Sequence, residues 1–143
     1  MYLDTVTLFN YHSATNKWYP TVLTGVDAGE DVSGKKDEMG IQNEDRTILL
    51  VPCAANKTVN VGIKSKPYLS PKEYAKVQNP ANFITFDKEQ DFFVIGEYNT
   101  SPIDDDTEAD GLYHRLNDER DGVYAIKSCS FYSLLPHFEI IGK

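Results

Sequence analysis

Residues 106–111 hold the most ligand-like pattern in the chain. Asp106, Glu108 and Asp110 alternate with Thr107 and Ala109, and Gly111 follows. Hard oxygen donors at every second position, closed by a glycine that permits a sharp turn, are how a calcium-binding loop opens. The twelfth position of such a loop supplies a bidentate carboxylate, and here it is Asn117. Two readings follow: a calcium-dependent binding module with Asp106, Glu108 and Asp110 as ligands, or a solvated acidic loop. The incomplete ligand set favours the second.

Elsewhere the chemistry is sparse. His12, His114 and His137 are not spaced as a helical metal pair, and no G-x-S-x-G, Walker or G-x-G-x-x-G run occurs. The chain therefore reads as a non-enzyme with no cofactor. Cys53 and Cys129 have neither zinc spacing nor the density of a disulfide framework, so packed, reduced thiols are expected. Trp18 and Tyr19, next to Pro20, suit an interface anchor, and Trp18 equally suits the lid of a core.

The net charge of −8 is unevenly placed. Residues 27–45 carry seven acids against Lys35 and Lys36, and residues 101–122 carry eight against Arg115 and Arg120. These stretches hold −5 and −6, leaving +3 on the rest. A scaffold of that kind lacks the concentrated Lys/Arg surface that phosphate backbones require. No apolar run approaches the ~18 residues of a membrane span. Residues 1–4 show no basic segment leading into an apolar one, so residence where the chain is made is expected.

The elements that must position these residues are mostly strands. At 143 residues, 41% of them hydrophobic, one domain over 1–143 is expected. Alternating apolar and β-branched runs at 5–9 and 18–26 form a hairpin, with Pro20 placing the second strand at an edge or an irregular start. Further strands are expected at 46–51, 58–63, 83–86, 91–98, 123–135 and 137–141, with 83–86 and 91–98 paired as a hairpin. Ser70 and Pro71 predict a short helix over about 71–77. Leu112 and Leu116 share a face that predicts a second one. The fold class is mainly β, a barrel or sandwich of about seven strands, with one or two short helices and long acidic loops at 27–45 and 99–122.

The order of these runs resembles a family of small virion proteins of tailed phages and prophages. The likeness is carried by Val6-Thr7-Leu8-Phe9-Asn10, Trp18-Tyr19-Pro20-Thr21-Val22-Leu23-Thr24-Gly25-Val26 and Ile48-Leu49-Leu50-Val51-Pro52. It continues through Tyr68-Leu69-Ser70-Pro71-Lys72-Glu73-Tyr74, the 83–86 and 91–97 runs, and Leu135-Pro136-His137-Phe138-Glu139-Ile140-Ile141-Gly142-Lys143, nearly the whole chain. The resemblance implies a minor structural protein of the head–tail connection, similar to the head-closure ring below the portal. Its partners would be copies of itself in a cyclic homo-oligomer, the portal or adaptor, and tail proteins. Genomic DNA would be present only as passing channel contents, and no membrane is implied. The protein would be made in the host bacterial cytoplasm and end in the virion. A tail-completion, tail-terminator or other minor virion protein is the alternative within the same class. Residues 99–122 are longer and more acidic than that family's pattern. Trp18, Tyr19, Asp104, Asp105, Asp106, Glu108 and Asp110 are the expected interface or channel residues, since an acidic lining repels phosphates and lets DNA slide.

Overall fold

Alternation along the first strand sets up two cores, one on each side of the chain. The structure is a computed structural model that describes residues 3–31, 46–98, 100–104 and 111–143. In β1 (Asp4–His12), Val6 and Leu8 point to an inner cluster with Leu23, Leu49, Phe93 and Phe138. Phe9 points the other way, into a second cluster with Trp18, Phe92, Leu112 and Leu116. Such a division follows from the two-residue repeat of a strand, which sends neighbouring side chains to opposite faces.

The remaining strands among the described residues are β2 (Lys17–Asp31), β3 (Arg46–Pro52), β4 (Thr58–Val61), β5 (Lys64–Pro67), β6 (Phe92–Ile95), β7 (Ile103–Asp104), β8 (Val123–Tyr132) and β9 (His137–Gly142). The pairing order is β1-β6-β8-β9-β3-β2, and β2 also pairs with β1. Six strands therefore close into an antiparallel barrel, which removes most exposed edges. β7 adds to the outside of β2 at Lys17 and Trp18, while β4 and β5 form a separate hairpin.

β2 serves both halves of the barrel. Its first part pairs with β1, and its last part, Asp27 to Asp31, pairs with residues 46–50 of β3. The change of partner coincides with Gly25 at φ 68° and a register shift opposite Asp4 and Thr5. Glycine tolerates that left-handed backbone, and the shift bends the strand. Pro20 falls between the residues held by β7 and those held by β3, the edge position expected of a strand proline.

Several expectations are corrected. The acidic stretch 27–45 begins as strand, because backbone pairing with apolar β3 extends through residue 31; positions 32–45 lie outside the described residues. The stretch 99–122 contains β7 and a helix, α2 (Leu112–Glu119), with positions 99 and 105–110 outside the described residues. Residues 58–63 do not form one strand: Gly62, at φ 65°, turns the chain with Ile63 into β5. Residues 83–86 make no hairpin with β6. Ile84 forms a single parallel bridge to Tyr68, and β6 lies between β1 and β8 instead. The strand expected over 123–135 ends at Tyr132 and turns over 133–136.

The predicted helix at 71–77 is one turn, α1 (Pro71–Tyr74). Ser70 and Glu73 form its reciprocal capping box, and Pro71 occupies the first turn. With a 3-10 turn at Pro80–Asn82, this segment supplies Tyr68, Ile84 and Phe86 to the inner core. α2 instead buries Leu112 and Leu116 on the outer cluster, as their i,i+4 spacing predicts.

Among the described glycines Gly142 has the least room for a side chain. A Cβ there would lie 2.8 Å from the Phe93 ring and 2.8 Å from the Tyr124 Cβ. We expect Gly142→Ala to destabilise the fold by about 1–3 kcal/mol, the usual cost of overpacking. Urea denaturation measures this, and an unchanged midpoint would contradict the packing.

Candidate functional site

The inner face of β1 ends in polar residues, Asn10 and His12, and both are buried. The segment between β5 and β6 covers them. The Asn10 side-chain amide donates to the Thr85 carbonyl oxygen at 2.6 Å and to Asp91 Oδ2 at 2.8 Å. Asp91 also accepts from the Tyr11 backbone N–H at 3.0 Å and the Asp87 backbone N–H at 3.0 Å. His12 has both ring nitrogens engaged, Nδ1 with Thr15 Oγ1 at 3.0 Å and Nε2 with the Val77 carbonyl oxygen at 3.0 Å.

Asp91 is 2% exposed, and its carboxyl is pushed up to about 7. Burial is the main cause; the N–H groups of Tyr11, Asn10 and Asp87 pull the other way, and the charge of Asp87 adds to the rise. Tyr74 lies edge-on to His12 at 5.6 Å, and burial, with the charge of Asp91, pushes its phenol well up. An acid that titrates near neutral pH is a familiar catalytic device. Here the acceptors of Asp91 and the Nε2 of His12 are spent on tying the covering segment to β1, while His12 Nδ1 is held by Thr15 of the β1–β2 turn, which makes the cluster a latch.

The outer face carries a groove of 460 Å³ among Tyr11, Trp18, Phe92 and Tyr113, with Lys88 and Lys127 also lining it. Aromatic contacts set its floor: Phe92 stacks on Phe9 at 4.6 Å and meets Trp18 at 5.1 Å and Tyr113 at 5.2 Å. Its size suits a side chain or a small ligand, with Lys88, Glu89, Gln90, Asp91 and Lys127 setting polar groups around the aromatic floor.

Trp18 is 7% exposed and belongs to the outer core, where it also borders this groove. Tyr19 points to the other side of β2, with its ring 6.1 Å from His12 and its hydroxyl donating to Thr15 Oγ1 at 3.3 Å. The two residues are adjacent in sequence and are not brought together. Asp104 is exposed on β7 opposite Lys17. Asp105, Asp106, Glu108 and Asp110 lie outside the described residues. Among the described residues no group of three His, Cys, Asp or Glu side chains is arranged to hold a metal.

Burial pushes the Cys129 thiol up to about 12 and the Cys53 thiol upward as well, with Lys57 opposing in both cases. Thiols raised in this way are poor nucleophiles.

Sequence reasoning missed the hairpin tips. Ile63 at the β4–β5 turn is 101% exposed, and Leu134 and Leu135 at the β8–β9 turn are 86% and 82% exposed. Leu135 also has φ 54°, a left-handed backbone that a leucine rarely adopts. The available signals were a glycine just before Ile63 and a proline just after Leu135; both leucines otherwise read as strand.

No curated protein and no solved structure matches the chain. A family match runs from residue 1 to residue 143, and on that coverage the chain belongs to DUF6751, a family of unknown function.

Proposed function

We propose that this chain is a structural subunit of the tailed-phage head–tail connection. It would form a neck or head-closure ring that joins portal or adaptor to tail and surrounds the DNA channel. The observation that carries the reading is the bare leucine pair at the β8–β9 tip, held on a closed barrel whose interior is filled by its own side chains. Exposed apolar side chains on a rigid projection are stabilised when a partner covers them, by about 1.5–3 kcal/mol for each leucine. The order of sequence motifs supplies the phage context, and the net charge of −8 suits a channel through which DNA passes.

Quantitative mass spectrometry of purified virions tests this. A low, fixed copy number equal to one ring per particle is the expected result. Absence from intact particles, with the protein abundant in infected cells, would remove the reading. Leu134→Asp with Leu135→Asp should leave the barrel folded and exclude the protein from virions.

A further inference from the structure

The wall of the barrel opens where β2 passes from one partner to the next. On the edge of β2 away from β1, Lys17 and Trp18 are held by β7, and Asp27 to Asp31 by β3. Among the described residues no strand pairs with that edge over 19–26. Pro20 lies in this stretch and has no N–H to offer a further strand. The β4–β5 hairpin stands there instead, bringing Val61 and Lys66 against β2. With Ala81 of the 3-10 turn and Pro102 ahead of β7, it leaves a pocket of 320 Å³, at the small end of the range for ligand sites.

The walls are apolar around a single cation. Pro20, Val22, Val61, Ala81 and Pro102 line the pocket, Tyr19, Thr21 and Thr100 add hydroxyls, and Lys66 brings the only charge among the described lining residues. Lys66 is half-buried, and its Nζ donates to Thr21 Oγ1 at 2.9 Å. Thr21 is 2% exposed. The bond uses one of the three ammonium donors, and it makes the Thr21 hydroxyl an acceptor whose own hydrogen is left to point elsewhere. Neither side chain has another hydrogen bond or an ion pair among the described residues. Burial pulls the Lys66 ammonium below the usual lysine range, and no acid stands beside it to oppose that.

We propose that this pocket binds a carboxylate carried on a compact apolar body. The acid group would sit on Lys66 Nζ and the Thr21 hydroxyl, with the body against Pro20, Val22, Val61 and Pro102. One ammonium and one hydroxyl match the single charge and two oxygens of a carboxylate. A phosphate would bring further charge between apolar walls, with no arginine fork to meet its remaining oxygens. The aromatic groove on the outer face makes no such selection, because Lys88 and Lys127 share its lining with Glu89 and Asp91. A free carboxylic acid and an apolar residue at a peptide C-terminus carry the same chemistry. The pocket is formed within one chain, so the inference stands apart from the ring reading.

Calorimetric titration of the full chain with two acids and their neutral counterparts tests the pocket: hexanoate against hexanol, and N-acetylleucine against N-acetylleucinamide. At least one acid should bind saturably, about tenfold or more tighter than its counterpart, as expected of a hydrogen bond to a charged group. Lys66→Met keeps the length of the side chain and should abolish the preference for the acid. Thr21→Val keeps the shape and should weaken acid binding by about threefold or more, leaving the neutral compound unchanged. Each variant bears on the pocket separately, and circular dichroism should show both folded. Tighter binding of N-acetylleucine assigns the pocket to a peptide terminus, and tighter binding of hexanoate assigns it to a free acid. Absence of saturable binding by either acid overturns the proposal, as do acids that bind no better than their counterparts. Acid binding unchanged in both variants overturns it too, and so does inorganic phosphate that binds as tightly as the better acid and is lost in Lys66→Met.

Discussion

Phe92→Ala will cost about 3–5 kcal/mol in urea denaturation, the range for removing a fully buried aromatic side chain. Phe92 is 0% exposed and sits where four elements meet. It stacks on Phe9 of β1 with planes 8° apart, meets Trp18 of β2 edge-on, and meets Tyr113 of α2 at 5.2 Å. Each ring pair adds about 0.5–1.5 kcal/mol beyond area burial, so the loss should fall in the upper part of the range. The inner cluster has its own aromatic contacts, Phe86 with Phe138 at 5.1 Å and Tyr68 with Phe138 at 4.8 Å, and does not include Phe92. Damage should therefore concentrate outside the barrel. Amide exchange should accelerate most in α2, whose Leu112 and Leu116 share the outer cluster with Phe92. A loss below about 1 kcal/mol, or exchange that rises equally in β9, would mean that the two cores are not separate layers.

That division into layers was only half legible in the sequence. The alternation of residues 5–9 and 18–26 gives the first hairpin, and the runs at 46–51 and 137–141 give two more barrel strands, in which one face is buried and period two shows. Ser70, Pro71 and Glu73 are a local capping signal, and the structure carries the reciprocal bonds. Residues 92–94 read correctly as a strand, but which face points inward was not legible: Phe93 lies inside, Phe92 and Val94 outside, and a strand covered on both sides shows no alternation. β5 was invisible because Lys64-Ser65-Lys66-Pro67 has almost no apolar pattern; its strand character comes from pairing with β4 across the Gly62 turn. The run at 83–86 misled for the opposite reason. Ile84, Thr85 and Phe86 are apolar or β-branched and buried, yet they close the end of the barrel without a ladder. The groove and the latch both depend on contacts distant in the chain, Asn10 with Asp91 being 81 residues apart, and no local pattern encodes such a meeting.

Raising the pH from about 4 to about 7 will destabilise the fold through Asp91, and Asp91→Asn will remove most of that dependence. In the unfolded chain the carboxyl ionises near its ordinary 3.8; in the fold it ionises only at about 7. Between those values the folded state keeps a proton that the unfolded state has released, so stability falls as pH rises and levels off above the folded value. At 1.36 kcal/mol per pKa unit the contribution of this one group is of the order of 4 kcal/mol across the window. Burial drives the effect, because the three N–H donors recover only part of the hydration that a carboxylate loses. Asp91→Asn keeps the size and abolishes the titration, but it turns an amide donor toward N–H groups that need an acceptor. The variant should therefore be less stable overall while its pH profile, relative to the unaltered chain, is flatter. Urea midpoints for both proteins at several pH values decide the matter. A difference between them that is constant from acid to neutral pH would show Asp91 ionised throughout, with its three hydrogen bonds outweighing its burial.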